Sequence, residues 1–356
     1  MKNKNEINSV KSCWPDSGLE SVPSCPICES KRRELFYDKL TDRVFFCAPG
    51  TWSLYLCKDC KCAYLDPRPS SNTIGLAYRR YYTHAGDDED RTKTLRGLGC
   101  LRRSLANGYR NWRFASNFQP ANRLGVVAAI VLPSLKQRLD QGLRNVPRLQ
   151  ADAHLLDVGF GDGAFLELAR SAGWDVTGVD PDPVSVESAI QRGFDVRLGG
   201  IEACADRSGS FDAVTLSHVI EHVHDPIALL QSAYHLLKPG GFLWLSTPNI
   251  ESLGLSIYGR NWLGLDPPRH LVLFRWQAIQ ELLRKMGFDE VQKEAGNFVY
   301  ARVAAQSEAV AKGIDPYSFT KLPLRYHVAA FIARGKLWLH PHRTEFITCQ
   351  ALKPTT

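Results

Sequence analysis

The sequence predicts an α/β protein in which a mostly parallel sheet, covered by helices on both faces, follows a small cysteine-rich module and a helical connector. Three observations support this prediction. From residue 151 onward, short apolar runs of strand length alternate with stretches of helical periodicity. Six of the ten cysteines lie between residues 25 and 62. Between residues 70 and 150, segments rich in Leu, Ala and Arg are cut by prolines into short helices.

Two C-x-x-C pairs predict a metal site in the N-terminal module. The chain opens with a polar segment instead of the apolar stretch of a secretory signal, so we expect a reducing compartment. Cysteine pairs at this spacing then favour metal binding over disulfides. Four thiolates close a tetrahedral zinc site without an open position, which makes Zn²⁺ structural. The expected ligands are Cys25, Cys28, Cys57 and Cys60, with Cys47 and Cys62 as alternatives.

Length and composition fit two or three compact units. The chain has 356 residues, of which 44% are hydrophobic and 23% charged, and these values exclude a wholly disordered or fibrous protein. We divide it into a flexible N-terminus (1–20), a zinc-ribbon-like module (21–69), a basic connector or lid (70–150) and an α/β domain (151–356). Within that domain we expect a loop at 249–275 after the fifth strand and an irregular insert at 297–342.

The positive charge of the chain belongs to the connector. Residues 91–150 contain twelve Lys and Arg against one acid, so this segment carries +11 and the remainder −4 of the net +7. Three interpretations stay open. The segment can bind nucleic acid, with stacking on Trp112, Phe114 and Phe118. It can lie on an anionic membrane through the apolar residues 124–132. It can also be a solvated helical lid over the pocket of the α/β domain.

A glycine-rich turn predicts a nucleoside-binding site. The strand at 154–158 runs into the sequence LDVGFGDG at 156–163, where glycines permit positive φ and let a ligand lie against bare backbone. Asp180 ends the next strand and can hold both hydroxyls of a ribose. The glycine spacing is not that of dinucleotide sites, and Asp157 before the first glycine suits a cationic group better than a pyrophosphate. A nucleoside with a cationic tail is S-adenosylmethionine.

Five segments in order give residues 151–296 a resemblance to the class I S-adenosylmethionine-dependent methyltransferases. They are LDVGFGDG (156–163), GVDPD (178–182), FDAV (211–214), VIEHVHDP (219–226) and LKPGG (237–241). The resemblance implies a Rossmann-like sheet of seven strands, of which the last is antiparallel, and a methyl-transfer activity.

The resemblance also implies the cofactor-binding residues. Asp157, Gly159 and Gly161 would line the methionine end of S-adenosylmethionine, and Asp180 would bind its ribose. Other members of the set flank the adenine or approach the sulfur. The full set is Asp157, Gly159, Phe160, Gly161, Gly163, Asp180, Pro181, Asp182, Gly200, Ile201, Ser217 and His218.

Methylation of a hydroxyl requires a proton acceptor, and four histidines are candidates: His218, His222, His224 and His270. Of these, His222 and His270 are the expected catalytic residues. The pair Glu221-His222 resembles the Glu-His pair of ubiquinone-pathway O-methyltransferases, where it can hold a divalent metal. His218 stands where those enzymes carry another acid. The alternative is that Glu221 and His222 only hydrogen-bond and cap the helix that follows.

The loop after the fifth strand resembles that of methyltransferases found with polysaccharide and lipopolysaccharide assembly genes. Arg269 and His270 would hold an anionic or hydroxylated acceptor, or Arg269 would only pair with a nearby acid. The expected substrate contacts are Glu221, Tyr258, Trp262, Arg269 and His270.

These observations predict a cytoplasmic, S-adenosylmethionine-dependent O-methyltransferase acting on a glycan, nucleotide-sugar or lipid-linked acceptor, in polysaccharide biosynthesis. The sequence at 57–69 resembles the zinc-bearing region of certain sugar C-methyltransferases, which supports such an acceptor. Peripheral contact with the inner face of the membrane is an option. One alternative is an RNA methyltransferase that uses the zinc module and the connector to bind RNA. Another is an inactive cofactor-binding protein with a zinc-ribbon interaction module.

Overall fold

A computed structural model describes residues 13–79, 97–148, 152–294, 299–319 and 321–355. Seven strands of the described chain form one sheet in the order β12-β13-β10-β9-β6-β7-β8. Their bounds are β6 His154–Val158, β7 Asp175–Asp180, β8 Asp195–Leu198, β9 Phe211–Ser217, β10 Leu237–Pro248, β12 Asp289–Lys293 and β13 Phe346–Leu352. The neighbours from β8 to β10 pair in parallel, and β13 runs antiparallel to both β10 and β12. The predicted mostly parallel sheet with an antiparallel last strand is confirmed.

Helices cover both faces of this sheet because its strands are apolar on both sides. Central residues such as Leu155, Leu156 and Leu216 have no exposed surface. The helices between strands are α4 Ala164–Ala172, α5 Pro183–Gln191, α6 Pro226–Leu236, α7 Leu253–Tyr258 and α8 Trp276–Lys285. Short 3₁₀ helices follow β8 at Ile201–Arg207 and α7 at Gly259–Asn261 and Leu263–Leu265. None of the described helices has the length and apolar character to cross a membrane.

The N-terminal module is built on a second, antiparallel sheet of order β11-β4-β3-β2. Its own strands are β2 Arg33–Leu40, β3 Trp52–Cys57 and β4 Ala63–Leu65, and a separate pair is formed by β1 Leu19–Glu20 and β5 Arg68–Pro69. The edge strand β11, Val272–Leu273, comes from the loop of the α/β domain and pairs with Tyr64 and Ala63. The two units therefore share a sheet.

The connector contains three helices in its described part: α1 Leu98–Phe114, α2 Leu124–Val131 and α3 Pro133–Gly142. Phe114, Leu143 and Val146 are buried together with Trp244 of β10, which fixes the connector to one face of the large sheet. Of the three aromatic side chains expected to stack on bases, only Trp112 is mostly exposed. The charged residues Arg91, Lys93 and Arg96 lie outside the described residues.

Two segments differ from the expectation. Residues 13–20, expected to be flexible, include Trp14, which is buried against Trp52, and the strand β1. Residues 1–12 lie outside the described residues. The insert expected to be irregular at 297–342 contains α9 Tyr300–Lys312 and α10 Leu324–Leu339. Alanines dominate α9, and alanine is the strongest helix former.

Candidate active site

The turn after β6 holds all three of its glycines in the left-handed region. Gly159, Gly161 and Gly163 have φ of 69°, 58° and 72°. A Cβ on Gly159 would lie 2.8 Å from Cγ2 of Val219, so a larger residue would not fit there. The turn consequently presents bare backbone at the carboxyl edge of the sheet, where ligands of such folds bind.

Asp180 is anchored to this turn. Its side chain is buried, and its Oδ2 accepts a hydrogen bond from the Gly161 amide at 2.8 Å. Its Oδ1 accepts one from the amide of Asp182 at 2.9 Å. Burial raises the pKa of Asp180 although these amides oppose the shift. Each carboxylate oxygen keeps a lone pair for a further donor, such as a ribose hydroxyl.

The residues after Asp180 start the next helix. Asp182 caps α5 by accepting a hydrogen bond from the amide of Val184 at 3.1 Å. Pro181 between them is exposed. Of the two residues expected at the other edge of the adenine, Ile201 is buried and Gly200 is partly exposed. The Gly200 amide donates to Oε1 of Glu202 at 2.7 Å, which places an acid in this loop.

Asp157 lies fully buried on β6 and pairs with Arg144, from the segment after α3. Its Oδ1 also accepts a hydrogen bond from Oγ1 of Thr215 at 2.8 Å. Its Oδ2 is buried and has no hydrogen-bond partner among the residues that the structure describes. Burial raises the pKa of Asp157, and Arg144 opposes that shift. Arg144 and Thr215 were not identified from the sequence, because their contact with Asp157 depends on the fold.

The remaining residues of the expected cofactor set divide between core and site. Phe160 is buried, and its ring packs directly against Gly178, where an added Cβ would lie 2.6 Å from Cδ1 of the ring. The side chain therefore belongs to the core, and only the backbone of Phe160 faces the turn. Ser217 and His218 lie at the end of β9, where both are partly exposed. His218 has a φ of 55°, an uncommon conformation that turns the chain at the edge of the sheet.

These residues fit S-adenosylmethionine. The bare glycine turn admits a ligand close to the backbone, and Asp180 offers acceptors for a diol. Asp157 contributes a negative charge beside the turn, but it is 0% exposed and paired with Arg144, so its unpaired oxygen is not open to an ammonium group in this arrangement.

Three side chains converge beyond β9. Glu221, His222 and His270 each place one oxygen or nitrogen atom within 4.8 Å of the others. The imidazole Nδ1 of His222 lies 3.0 Å from the carbonyl oxygen of Arg269, and Nδ1 of His270 lies 2.8 Å from that of Gly264. A carbonyl only accepts, so each Nδ1 carries the proton. In the neutral ring of His222, Nε2 therefore keeps its lone pair.

Glu221 is the buried anion of this group. Its Oε1 accepts a hydrogen bond from Nδ1 of His218 at 3.1 Å, and its Oε2 accepts one from Oγ1 of Thr247 at 2.9 Å. Burial opposes ionisation, but the His218 bond and the neighbouring imidazoles of His222 and His270 lower the pKa of Glu221 to about 2. Glu221 is thus a carboxylate throughout the neutral range.

His222 has the opposite electrostatic character. Burial and the nearby His270, whose ring centre lies 4.8 Å away, lower its pKa to about 4. The ring is therefore neutral at pH 7, with Nε2 available to accept a proton. Tyr78, in a 3₁₀ helix at Ile74–Tyr78 after the N-terminal module, places its hydroxyl 3.0 Å from Nδ1 of His222. No sequence motif pointed to Tyr78.

Three of the expected substrate contacts are closed to a ligand, and the fully buried Glu221 is one of them. Arg269 is 0% exposed, because its guanidinium lies between Asp42 of the N-terminal module and Asp266 of its own loop. Trp262 is 1% exposed and donates its indole N–H to Glu345 at 2.9 Å. Of the two roles considered for Arg269, the structure supports pairing with a nearby acid. Tyr258 is partly exposed and remains a candidate contact.

A cavity of about 220 Å³ lies between the N-terminal module and the loop that carries His270. Asp266 and Pro267 line it from the loop. Three exposed cations also line it, Lys39, Arg43 and Arg260. Asp266 is paired with Arg269, so the accessible charge of this cavity is positive and favours an anionic group.

The four expected zinc ligands lie together. The Sγ atoms of Cys25, Cys28, Cys57 and Cys60 lie within 4.8 Å of one another, and two of the pairs are 3.5 Å apart. Tetrahedral Zn–S bonds place sulfurs roughly 3.8 Å apart, so this cluster fits Zn²⁺. Contact with Cys60 and burial raise the pKa of Cys25, and a bound cation would stabilise the thiolate. Cys47 and Cys62 lie outside this group.

Residues 134–293 match a family model described as a methyltransferase domain. A ubiquinone biosynthesis O-methyltransferase of Xanthomonas oryzae pv. oryzae is 38% identical over 128 residues, which are 33% of this chain and 54% of that protein. The protein of the same name from Xanthomonas axonopodis pv. citri is 43% identical over 130 residues, with the same coverage of 33% and 54%. This chain thus spans about half the length of the curated relatives it matches.

Among solved structures, an S-adenosylmethionine-dependent methyltransferase from Archaeoglobus fulgidus matches with a TM-score of 0.44 and 23% identity. The match covers 62% of this chain and 94% of that one.

Proposed function

We propose that this chain is a class I, S-adenosylmethionine-dependent enzyme that transfers a methyl group to a hydroxyl oxygen of a small-molecule acceptor, because residues 134–293 match a family model for a methyltransferase domain. The observation that carries the proposal is the pairing of the glycine turn with a neutral, oriented His222 at the same edge of the sheet. The O-methyltransferase names of the Xanthomonas relatives support oxygen as the atom methylated.

The cofactor residues divide the work of binding. S-adenosylmethionine supplies a methyl group on a cationic sulfur, which is a strong leaving group. Gly159 and Gly161 allow the ligand to approach the backbone, and Asp180 accepts hydrogen bonds from the ribose hydroxyls. Asp157, buried and paired with Arg144, contributes charge near the methionine end instead of a direct contact. Ser217 and His218 form the wall between this site and the acceptor.

His222 accepts the proton of the acceptor hydroxyl at its Nε2. The carbonyl of Arg269 fixes the tautomer through Nδ1, so the lone pair of Nε2 has one orientation. Glu221 lies beside the ring as a carboxylate and stabilises the imidazolium that forms. His270, with its own Nε2 free to accept, orients the hydroxyl before transfer. The Glu221, His222 and His270 group can also hold a divalent metal, which would act on the same hydroxyl.

The acceptor we propose is a hydroxylated molecule with an anionic group, such as a nucleotide-sugar, an acidic glycan or a lipid-linked sugar. The cavity lined by Lys39, Arg43 and Arg260 supports this class. It opens on the loop that carries His270, and it supplies the positive charge that the buried Arg269 does not. Tyr258 does not line this cavity and packs beside Leu253 and Tyr300.

A structural Zn²⁺ in the N-terminal module belongs to this proposal. The metal would be held by Cys25, Cys28, Cys57 and Cys60, and its contribution is to order the sheet that contains β11.

Contact of helix α2 with an anionic membrane also stays a prediction. Its support is the apolar surface of Leu124, Val127 and Ile130, which are more than half exposed.

The RNA-methyltransferase alternative has less support. Phe114 is buried and Phe118 is packed against the core, which leaves Trp112 to stack on a base. An RNA-binding connector would lose affinity steeply with added salt.

The inactive-protein alternative would require a defective cofactor site, and the glycine turn and Asp180 are both intact.

The test is methyl transfer from labelled S-adenosylmethionine to nucleotide-sugars, acidic oligosaccharides and RNA, with cofactor affinity measured by calorimetry. Asp180→Ala should weaken cofactor binding by at least about tenfold, since it removes hydrogen bonds to a charged group. Asp175→Ala, at the other end of the same strand and exposed, is the matched control. If Asp180→Ala binds the cofactor like the parent, the site is assigned wrongly.

A further inference from the structure

Helix α10, Leu324–Leu339, is apolar on two opposite faces. Its inner face is buried against α9 and α7, with Tyr326 and Ala333 almost fully covered. Its outer face leaves six large apolar side chains at least half exposed. They are Leu324, Val328, Phe331, Ile332, Trp338 and Leu339. Phe331 is 75% and Trp338 83% exposed, values that are unusual for aromatic side chains of a folded protein.

These six residues form one stripe. At about 100° per residue, they occupy an arc of roughly 120° around the helix axis, centred on Gly335. A helix of 16 residues is about 24 Å long, and the stripe runs along all of it. The outer face is therefore a continuous apolar surface instead of scattered single residues.

Basic residues lie on both borders of the stripe. Arg325 and Lys336 fall on one side of the arc, and His327 and Arg334 on the other. Across residues 316–344 the sequence has five Lys and Arg and no Asp or Glu. Arg325 pairs with Glu308 of α9, and the exposed Lys336 stands at the rim of a groove.

That groove, of about 420 Å³, lies between α7 and the C-terminal turns of α10. Leu253, Ile257, Leu337 and Leu339 line it, and Lys336, His340 and Arg343 add basic groups. The end of α10 is tied to the site edge of the large sheet. Asn249, directly after β10, donates its side-chain N–H groups to the carbonyls of His342 and Thr344 at 2.8 and 2.7 Å.

We propose that the outer face of α10 binds the surface of a lipid bilayer that contains anionic phospholipids. An apolar stripe with Trp338 at one end suits the interface between acyl chains and headgroups, and the flanking cations suit lipid phosphates. A second copy of this chain is a poorer occupant, because a two-fold contact between stripes would bring the same basic borders together. This proposal goes beyond the methyltransferase function and does not depend on it.

The experiment is co-sedimentation of the full chain with vesicles of phosphatidylcholine alone or of equal parts phosphatidylcholine and phosphatidylglycerol. The parent should bind the vesicles with phosphatidylglycerol, less so at high salt, and should bind phosphatidylcholine weakly. The double variant Phe331→Ser/Trp338→Ser should lose at least about tenfold in partitioning, since it removes two aromatic side chains that insert. Lys336→Glu should weaken binding only to the anionic vesicles.

The matched control is Val184→Ser/Ile190→Ser on α5, where two apolar side chains are 54% and 57% exposed without basic borders of this kind. It should bind vesicles like the parent. Calorimetry with S-adenosylmethionine and circular dichroism verify that each variant is folded. The proposal is wrong if the α10 double variant binds vesicles like the parent, or if the parent binds neither vesicle. It is also wrong if Ile130→Ser/Val131→Ser on α2 abolishes binding while the α10 variant retains it.

Discussion

His222 combines two properties that a general base needs. Its Nδ1 is held by the Arg269 carbonyl, and its Nε2 keeps a lone pair because the pKa, lowered to about 4, leaves the ring neutral at pH 7. The same lowered pKa makes the ring a weaker base than an ordinary histidine. The sequence identified His222 and Glu221 from the motif in which they occur. It did not identify Tyr78 or Thr247, because their contacts join residues far apart in the chain and follow no local pattern. Arg269 was recognised as important, but its partner Asp42 lies in a different unit.

The pH dependence of kcat/KM should reveal the lowered pKa of His222. Protonation removes the lone pair at Nε2, so activity falls as the pH decreases through the pKa of the folded enzyme, about 4. An ordinary histidine would place this acid limb near pH 6.5. The measurement is the initial rate between pH 3.5 and 8. Circular dichroism shows over which part of this range the chain stays folded, and only those rates are used. An acid limb near pH 6.5 would contradict the assignment.

Replacement of the same histidine gives a second check. His222→Gln should reduce kcat by about 10²- to 10⁴-fold, as loss of a general base does, with cofactor affinity unchanged. His224→Gln is the matched control, because His224 is also partly buried but contacts the carbonyl of Pro69 instead of the group around Glu221. Equal losses of kcat in both variants would indicate a structural role for His222.

The loop between α7 and α8 is ordered by hydrogen bonds to elements outside it. Its strand β11 pairs with β4 of the N-terminal module, and the Leu271 amide donates to the Glu221 carbonyl at 2.7 Å. Sequence patterns did not predict β11, since a two-residue strand has no periodicity of its own. They missed α9 as well, although its alanines favour a helix, because Gly313, Pro316 and Pro323 interrupt the segment.

The buried ion pairs of Arg269 make this loop sensitive to a single substitution. Arg269→Met should lower the free energy of unfolding by about 3–5 kcal/mol, because it leaves Asp42 and Asp266 buried without their cation. Arg260→Met, an exposed arginine of the same loop, should cost less than about 1 kcal/mol. Urea denaturation measures both. A raised KM for the acceptor with unchanged stability would instead restore Arg269 as a substrate contact.

Removal of the metal should also destabilise this loop, because the loop is paired with the N-terminal module through β11. Chelation, or Cys57→Ser, should release one Zn²⁺ per chain and increase proteolytic cleavage within residues 249–275, because β11 loses an ordered partner strand. Metal analysis and limited proteolysis are the measurements. Cys100→Ser, which replaces an exposed cysteine outside the cluster, should change neither. If the zinc-free chain is cleaved at the same sites and rates as the zinc-bound chain, this expectation is wrong.

At the scale of the whole molecule, the N-terminal module and the α/β domain behave as one structure. They share the sheet of β11, and the guanidinium of Arg269 bonds to both Asp42 and Asp266. The sequence predicted the two units and the large sheet, since each carries its own motif. Their fusion was not predictable, because it depends on contacts between elements far apart in the chain.

The shared sheet predicts a single unfolding transition. S-adenosylmethionine at a hundred times its Kd should stabilise the chain by about 2.7 kcal/mol, and a chelator should lower the midpoint of the same transition. Differential scanning calorimetry gives both results, and Asp180→Ala should lose only the response to the cofactor. Two separate transitions, of which one responds to zinc and the other to the cofactor, would show that the units unfold independently.

The position of β11 also restricts how new specificities arise in this architecture. A loop whose edge is hydrogen-bonded into a neighbouring sheet cannot be exchanged alone, because a foreign loop would leave Tyr64 and Ala63 without their partners. Chimaeras that transplant residues 249–275 from a relative should therefore need that relative's residues 25–69 as well. Under the proposed function, acceptor choice therefore depends on two distant stretches of the sequence that must change together.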